Sequence, residues 1–272
     1  MDKTLINDYE GIPTGFSDFD TLTGGLCSSQ LIIITGRTCV GKTSFVLNVA
    51  RNIGVEQNST IMVISLEMRS EDVSMMMLST ASQVPLFQLH RGHIKDDDWP
   101  PLAIGADQFW NAPIFIETGP SISNLSSICK SVRQLKIQHP TLSAVIVDYI
   151  QRINVTERHD NRILEISEIV RTLKELACEL EIPVIACSQL RSDKSFHENK
   201  RPVLTDLQAS KTLEKAADII VFLHRDDYDE HDWDNNDPVE VQLLISKPPR
   251  APLKEITLLL HEKQRRFENI NP

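Results

Sequence analysis

Seven residues of this chain have the types and order that phosphate chemistry needs: Gly36, Gly41, Lys42, Thr43, Glu67, Asp148 and Gln189. The first four satisfy the spacing G-x-x-x-x-G-K-[ST]. Glycines there let the backbone curl so that its N–H groups face an anion, and the positive end of a following helix adds to the attraction. The expected phosphate cradle is Gly36, Arg37, Thr38, Cys39, Val40, Gly41, Lys42, Thr43 and Ser44. Lys42 would reach the outer phosphates of a nucleotide, and the Thr43 hydroxyl would ligate Mg²⁺. Asp148 follows four apolar residues, the position of a carboxylate that holds the Mg²⁺ shell. Glu67 is placed to orient an attacking water, and Gln189 to sense the γ-phosphate. Taken singly, Glu67 could cap a helix, Asp148 could open a turn, and Gln189 could be a solvated loop residue. Together, behind one phosphate loop, they read as a hydrolytic site.

These residues need a scaffold that brings four strand ends to one edge. Apolar runs predict strands at residues 31–34, 60–65, 113–117, 142–148, 183–188, 218–224, 239–246 and 255–261, with a last short strand near Phe267. Helical spacing predicts helices at 17–22 (capped by Ser17), 43–51, a Met75–Met76–Met77 helix capped by Ser70, 122–139, 161–180 and 205–217 (capped by Thr205). The Pro100-Pro101 pair confines any helix near it to starting there, because proline fits only a first turn. In the 161–180 helix, Ile163, Ile166, Ile169, Val170, Leu173, Leu176 and Leu180 fall on one side. The methionines read as packing. Strands and helices alternate through residue 224, which means right-handed crossovers, an α/β class and a mainly parallel sheet, with the last strands added antiparallel. In such a sheet ligands bind beyond the carboxyl ends of the strands, where Glu67, Asp148 and Gln189 all fall.

The bulk composition sets outer limits. The chain has 272 residues, 41% of them hydrophobic and 24% charged, the profile of a globular protein with a full core. No apolar run approaches the roughly 20 residues that span a bilayer, and the first residues lack a signal-peptide pattern. Five cysteines without a C-x-x-C pair suggest neither a disulfide framework nor a zinc site. Cys129, Cys178 and Cys187 read as reduced core residues, and a cytoplasmic location is expected. The net charge of −10 looks wrong for a nucleic-acid binder. Eight carboxylates crowd residues 226–240 with no Lys or Arg among them, so the acidity is mostly one local loop and leaves room for a basic channel.

The motifs Gly11-Ile-Pro-Thr-Gly-Phe16, Leu22-Thr-Gly-Gly-Leu26, Gly41-Lys-Thr-Ser44, Ser65-Leu-Glu-Met68, Asp148-Tyr-Ile-Gln151, Ser188-Gln-Leu190 and Arg266-Phe-Glu-Asn269 resemble, in order and spacing, the C-terminal RecA-like ATPase domain of the bacterial replicative DNA helicases, the DnaB family. The resemblance implies a RecA-like P-loop NTPase fold and a homo-hexamer that hydrolyses ATP between subunits. It implies translocation on single-stranded DNA, with other replication proteins as partners and no membrane. Glu67 then corresponds to the catalytic base and Gln189 to the γ-phosphate sensor. The expected organisation is a short extension over 1–10 and one ATPase domain over 11–272, without the family's N-terminal primase-interaction domain.

Two places depart from the family's pattern. The DNA-facing loop reads Asp206-Leu-Gln-Ala-Ser-Lys211, where the family usually has Asp-Leu-Arg-Glu-Ser-Gly. The trans-acting Lys-x-Arg appears as Lys247-Pro-Pro-Arg250, with Pro249 at the arginine's place. Either Arg250 reaches the neighbouring site from a rearranged loop, or trans activation is weak. Arg191, Lys194, Lys200, Arg201, Gln208 and Lys211 are the expected DNA contacts, with a plain solvated-loop reading beside it. Three functions remain in play: a helicase motor, a nucleotide-dependent module that joins or regulates a helicase ring without unwinding, and a recombination- or clock-type ATPase of the same fold. The Ser-Leu-Glu-Met and Asp-Tyr-Ile-Gln motifs argue against the third.

Overall fold

Leu31, Ile32, Ile33 and Ile34 are all buried, because β1 (Leu31–Gly36) lies at the centre of a sheet with helices on both faces. The computed structural model describes residues 10–155, 161–190, 201–203, 206–207, 210–226, 237–246 and 252–270. Among these, nine strands form one sheet in the order β3-β2-β4-β5-β1-β6-β7-β8-β9. The strands are β2 (Thr60–Ser65), β3 (Ile114–Thr118), β4 (Leu142–Asp148), β5 (Val184–Gln189), β6 (Ile219–His224), β7 (Val239–Ser246), β8 (Lys254–His261) and β9 (Arg266–Asn269). Pairing is parallel from β3 through β6 and antiparallel from β6 through β9, as the sequence predicts.

Alternation along β1 divides the core in two. Ile32 and Ile34 pack with Phe19, Phe45, Val49, Val73, Met76 and Met77, from α1 (Ser17–Thr23), α2 (Lys42–Arg51) and α3 (Ser70–Ser82). Leu31 and Ile33 face the other way, onto α6 (Leu125–Gln138), α7 (Arg162–Leu180) and α8 (Ser210–Ala216). The period of two in the strand and 3.6 in the helices meet at these two interfaces. Phe45 stacks on Phe16 with ring centroids 5.1 Å apart and meets the edge of Phe267 at 5.6 Å, which ties α2 to β9.

Several boundaries differ from the sequence reading, each for a local reason. Phe16, not Ser17, is the N-cap of α1; the Asp20 carboxylate holds the preceding turn by accepting from Thr14 N, Thr14 Oγ1 and Gly15 N. Arg69 occupies the N-cap of α3, so Ser70 is its first helical residue. Residues Pro120–Ile122 form a separate 3-10 turn, and α6 starts only after Asn124, whose Oδ1 accepts from Ser127 N. Both segments bury their apolar side, so periodicity alone could not divide them. Ile163 sits in the first turn of α7 and is exposed, unlike the six residues that follow it on the expected stripe. Cys129 and Cys187 are buried, whereas Cys178 is exposed. Between α3 and β3 lie two helices the periodicity left undivided, α4 (Leu86–Arg91) and α5 (Trp99–Trp110), with Pro100 and Pro101 in the first turn of α5. The Thr205 cap and the Lys247-Pro-Pro-Arg250 motif fall outside the described residues, as do positions 227–236 of the acidic loop. No helix among the described residues is long and apolar enough to cross a membrane.

Candidate functional site

The phosphate loop runs from Gly36 at the end of β1 to Gly41 at the start of α2. Gly41 has φ +104°, a conformation that glycine alone adopts without strain, and a Cβ there would meet Phe267 at 3.1 Å and Leu260 at 3.2 Å. Cys39 also has positive φ, at +57°. Thr38 and Cys39 are exposed, Arg37 is half-buried, and Val40 and Ser44 are buried. Lys42 opens α2 and folds back over the loop. Its ammonium donates to Gly36 O at 3.1 Å and to Arg37 O at 2.6 Å. Burial lowers the Lys42 pKa below the usual lysine range, opposed by nearby Cys187, Asp148, Cys39 and Glu67.

The next residue makes the central contact. Thr43 Oγ1 donates to Asp148 Oδ2 at 2.7 Å, joining the phosphate-loop helix to the end of β4. Asp148 is buried, and desolvation raises its carboxyl pKa against hydrogen bonds from Thr43 and Cys187. The fully buried Cys187 thiol is itself pushed up by desolvation first and by the Asp148 charge second.

Strand register delivers the remaining groups. Ser65 pairs with Asp148, and Leu66 N donates to Asp148 O at 2.8 Å, so Glu67 follows at the same edge. Its side chain is 54% exposed and lies 3.7 Å from Arg152 Nη2. Gln189 pairs with Gly36 across β5 and β1. The topology therefore places Lys42, Thr43, Glu67, Asp148 and Gln189 along one edge of adjoining strands.

The other candidate residues are less completely placed. Lys247 and Arg250 lie outside the described residues, as do Arg191, Lys194, Lys200 and Gln208. Lys211 is exposed on α8. Arg201 is held by Glu255 of β8 at 2.9 and 3.3 Å.

Sequence reasoning gave no role to two residues that touch the site. Arg152 reaches Glu67, and its Nε also donates to Tyr149 Oη at 3.0 Å. Gln151 was visible as part of the Asp-Tyr-Ile-Gln motif, but its contacts to β5 were not (Ser188 Oγ at 2.9 Å, and the Gln189 backbone). Both follow from the 3-10 turn Ile150–Arg152, which turns the chain back towards the site just after β4.

Comparison with known proteins points to one family. Residues 11–269 match the family model described as DnaB-like helicase C terminal domain. The replicative DNA helicase DnaB of Geobacillus stearothermophilus is 38% identical over 264 residues, covering 97% of this chain and 57% of that protein. The replicative DNA helicase DnaC of Bacillus subtilis is 36% identical with the same coverage. This chain thus spans a little over half the length of these curated relatives. Among solved structures, one described as an ATPase domain superposes with a TM-score of 0.88 at 30% identity, covering 99% of this chain and 94% of that one. A DnaB-like replicative helicase, described with its interactions with primase, superposes at 0.87 and 31% identity, covering 97% and 63%.

Proposed function

The chain belongs to the DnaB-like helicase C-terminal domain family, and from that membership we propose that it is an ATP-hydrolysing motor. It would assemble as a homo-hexamer, bind ATP at subunit boundaries and translocate on single-stranded DNA to unwind duplex during replication. The observation that carries the reading is the 2.7 Å hydrogen bond between Thr43 and Asp148 beside Lys42. It sets a hydroxyl and a carboxylate, hard oxygen donors, next to a lysine held in a glycine-bounded loop.

That donor set suits Mg²⁺, which keeps several waters and takes one or two protein oxygens together with phosphates. When bound, the ion would neutralise charge on the phosphates undergoing transfer. Thr43 and Asp148 would hold it, and Gly41 lets the loop turn at positive φ where a Cβ would press on the core residues Phe267 and Leu260. Lys42 brings a desolvated positive charge whose present partners are neutral carbonyls, so an anion is its stronger partner. Glu67 would take the proton of the attacking water. Its half-exposed position leaves room for that water. Gln189, paired to the loop at Gly36, would contact the γ-phosphate.

A second reading has its own support. Pro249 stands where the family has its trans-acting arginine, and Glu67 already has Arg152 as a partner. Both features favour a nucleotide-dependent module that joins or regulates a helicase ring. One experiment separates the two: ATP turnover with and without single-stranded DNA, beside particle mass with ATP and Mg²⁺. DNA-stimulated turnover in a hexamer is expected for the motor. A monomer without DNA stimulation would overturn it in favour of the module.

A further inference from the structure

Gln151 stands in for a peptide unit that β4 does not supply. β4 and β5 pair as far as Val147 and Ala186, after which the chain leaves β4 for the turn Ile150–Arg152. β5 continues to Gln189. In a parallel ladder the N–H and C=O of one residue point to the same neighbouring strand, and those of the next residue point to the other. Leu190 N donates to Gly36 O at 3.3 Å, towards β1, so both backbone groups of Gln189 face the side that β4 has vacated. The Gln151 side chain occupies that side. Its Oε1 accepts from Gln189 N at 3.2 Å, and its Nε2 donates to Gln189 O at 3.2 Å and to Ser188 Oγ at 2.9 Å. A primary amide has the donor–acceptor pair of a backbone peptide, so one side chain adds a rung to the sheet. The turn is anchored in its own right: Arg162 Nη2, at the start of α7, donates to Gln151 O at 2.7 Å and to Ile153 O at 3.2 Å.

We propose that Gln151 is a positioning residue for Gln189: its side-chain rung fixes the Gln189 backbone and so sets how well the site distinguishes a nucleoside triphosphate from a diphosphate. The proposal rests on the reading of Gln189 as the γ-phosphate sensor. Gln151 itself touches no reacting atom. The chemistry explains the residue type. Asn would fall one methylene short, Glu would set a second acceptor against the Gln189 carbonyl, and Met would fill the space with no partner for either backbone group.

The test uses the full chain and two probes, ADP and a non-hydrolysable imido analogue of ATP, each with Mg²⁺. Losing this rung removes up to three hydrogen bonds, each worth about three- to ten-fold in an equilibrium. Gln151→Met is therefore expected to weaken the analogue by about ten-fold while ADP affinity stays within about two-fold. Gln189→Ala should do the same, and the double variant should lose no more than either single one, because both act through one contact. Hydrogen exchange at the Gln189 amide should accelerate in Gln151→Met while the Val184 and Ile185 amides keep their protection. Gln151→Glu retains the acceptor for Gln189 N but loses both donors, and it should shift the nucleotide ratio in the same direction even if the Met variant fails to fold. An unchanged ratio in Gln151→Met or Gln151→Glu, with Gln189→Ala reducing it, overturns the proposal and leaves the sensor reading intact. An unchanged ratio in Gln189→Ala overturns the sensor reading, and the proposal with it.

Discussion

Thr43 Oγ1 lies 2.7 Å from Asp148 Oδ2, a direct link between the phosphate-loop helix and the carboxylate that ends β4. Thr43→Val keeps the shape and removes the hydroxyl. The Mg²⁺ concentration needed for half-maximal turnover is expected to rise about 10- to 100-fold, the usual cost of losing a group that holds or orients a metal ligand. Thr43→Ser should restore it, as read from a Mg²⁺ titration of ATP turnover.

Asp148→Asn should separate stability from activity. Burial raises the Asp148 pKa, so folding favours its protonated form and its stabilising contribution falls as pH rises from the ordinary carboxylate range through the shifted value. Ionising this buried carboxyl is a cost to the nucleotide-free fold. The amide variant is expected to melt at a higher temperature than the parent without nucleotide and to lose turnover. A lower melting temperature would contradict this account of the site.

Glu67 and Arg152 should pull turnover in opposite directions. Glu67→Gln is expected to abolish steady-state hydrolysis while ATP still binds, because an amide cannot take the proton of water. Arg152→Gln frees the carboxylate from a cation 3.7 Å away. Exposed pairs are worth about 0.2–1 kcal/mol, so turnover should rise by no more than about five-fold. Added salt should produce part of that rise in the parent and little in the variant.

Asn48 is the polar bolt between α2 and the last strand. Its Nδ2 donates to Ser44 O at 2.7 Å and Arg265 O at 2.9 Å, and its Oδ1 accepts from Phe267 N at 3.0 Å. Asn48→Leu removes the acceptor of Phe267 N and leaves Arg265 O only the 3.3 Å bond from Thr80 Oγ1, and a buried group left unpaired costs about 1–3 kcal/mol. A urea midpoint well below the parent's is the expected result.

His224 gives the fold an acid-sensitive point. Burial lowers its pKa from the ordinary 6.5, against the pull of Asp226 at 3.0 Å. A depressed histidine contributes stability that is complete above its unfolded value and lost as pH falls through its folded one. The melting temperature should therefore drop on acidification from pH about 7.5 to about 5.5, and His224→Gln should flatten part of that drop.

Much of this was readable in the residues themselves. β2, β4 and β7 begin and end where the apolar runs do; every position of β2 is buried, and in β4 and β7 the uncovered polar positions (Ser143, Glu240 and Gln242) lie inside the run and not at its ends. The phosphate loop was legible because its spacing is a geometric requirement of the chemistry. Helix starts were less so. Ser17 and Ser70 have the right chemistry for a cap, but the Asp20 carboxylate holds the turn before α1, and α3 begins after an extended Arg69 that makes no side-chain cap bond. The Arg152–Glu67 and Gln151–Gln189 contacts were hidden for a related reason. They depend on which strands become neighbours, and β5 reaches β4 and β1 from distant parts of the chain.

The bolt at Asn48 has a consequence for how the protein comes into being. Phe267, whose N–H it receives, lies 219 residues further along the chain. A growing polypeptide displays the complete phosphate motif early, yet the floor under its helix leaves the ribosome only after every other strand of the sheet. Until β9 arrives, Asn48 lacks its bond from Phe267 N, and the Phe45 ring lacks its edge contact with Phe267. On the proposed reading, nucleotide capture is expected to strengthen only once β9 is made, and chains that end before Arg266 should bind ATP more weakly than the full chain.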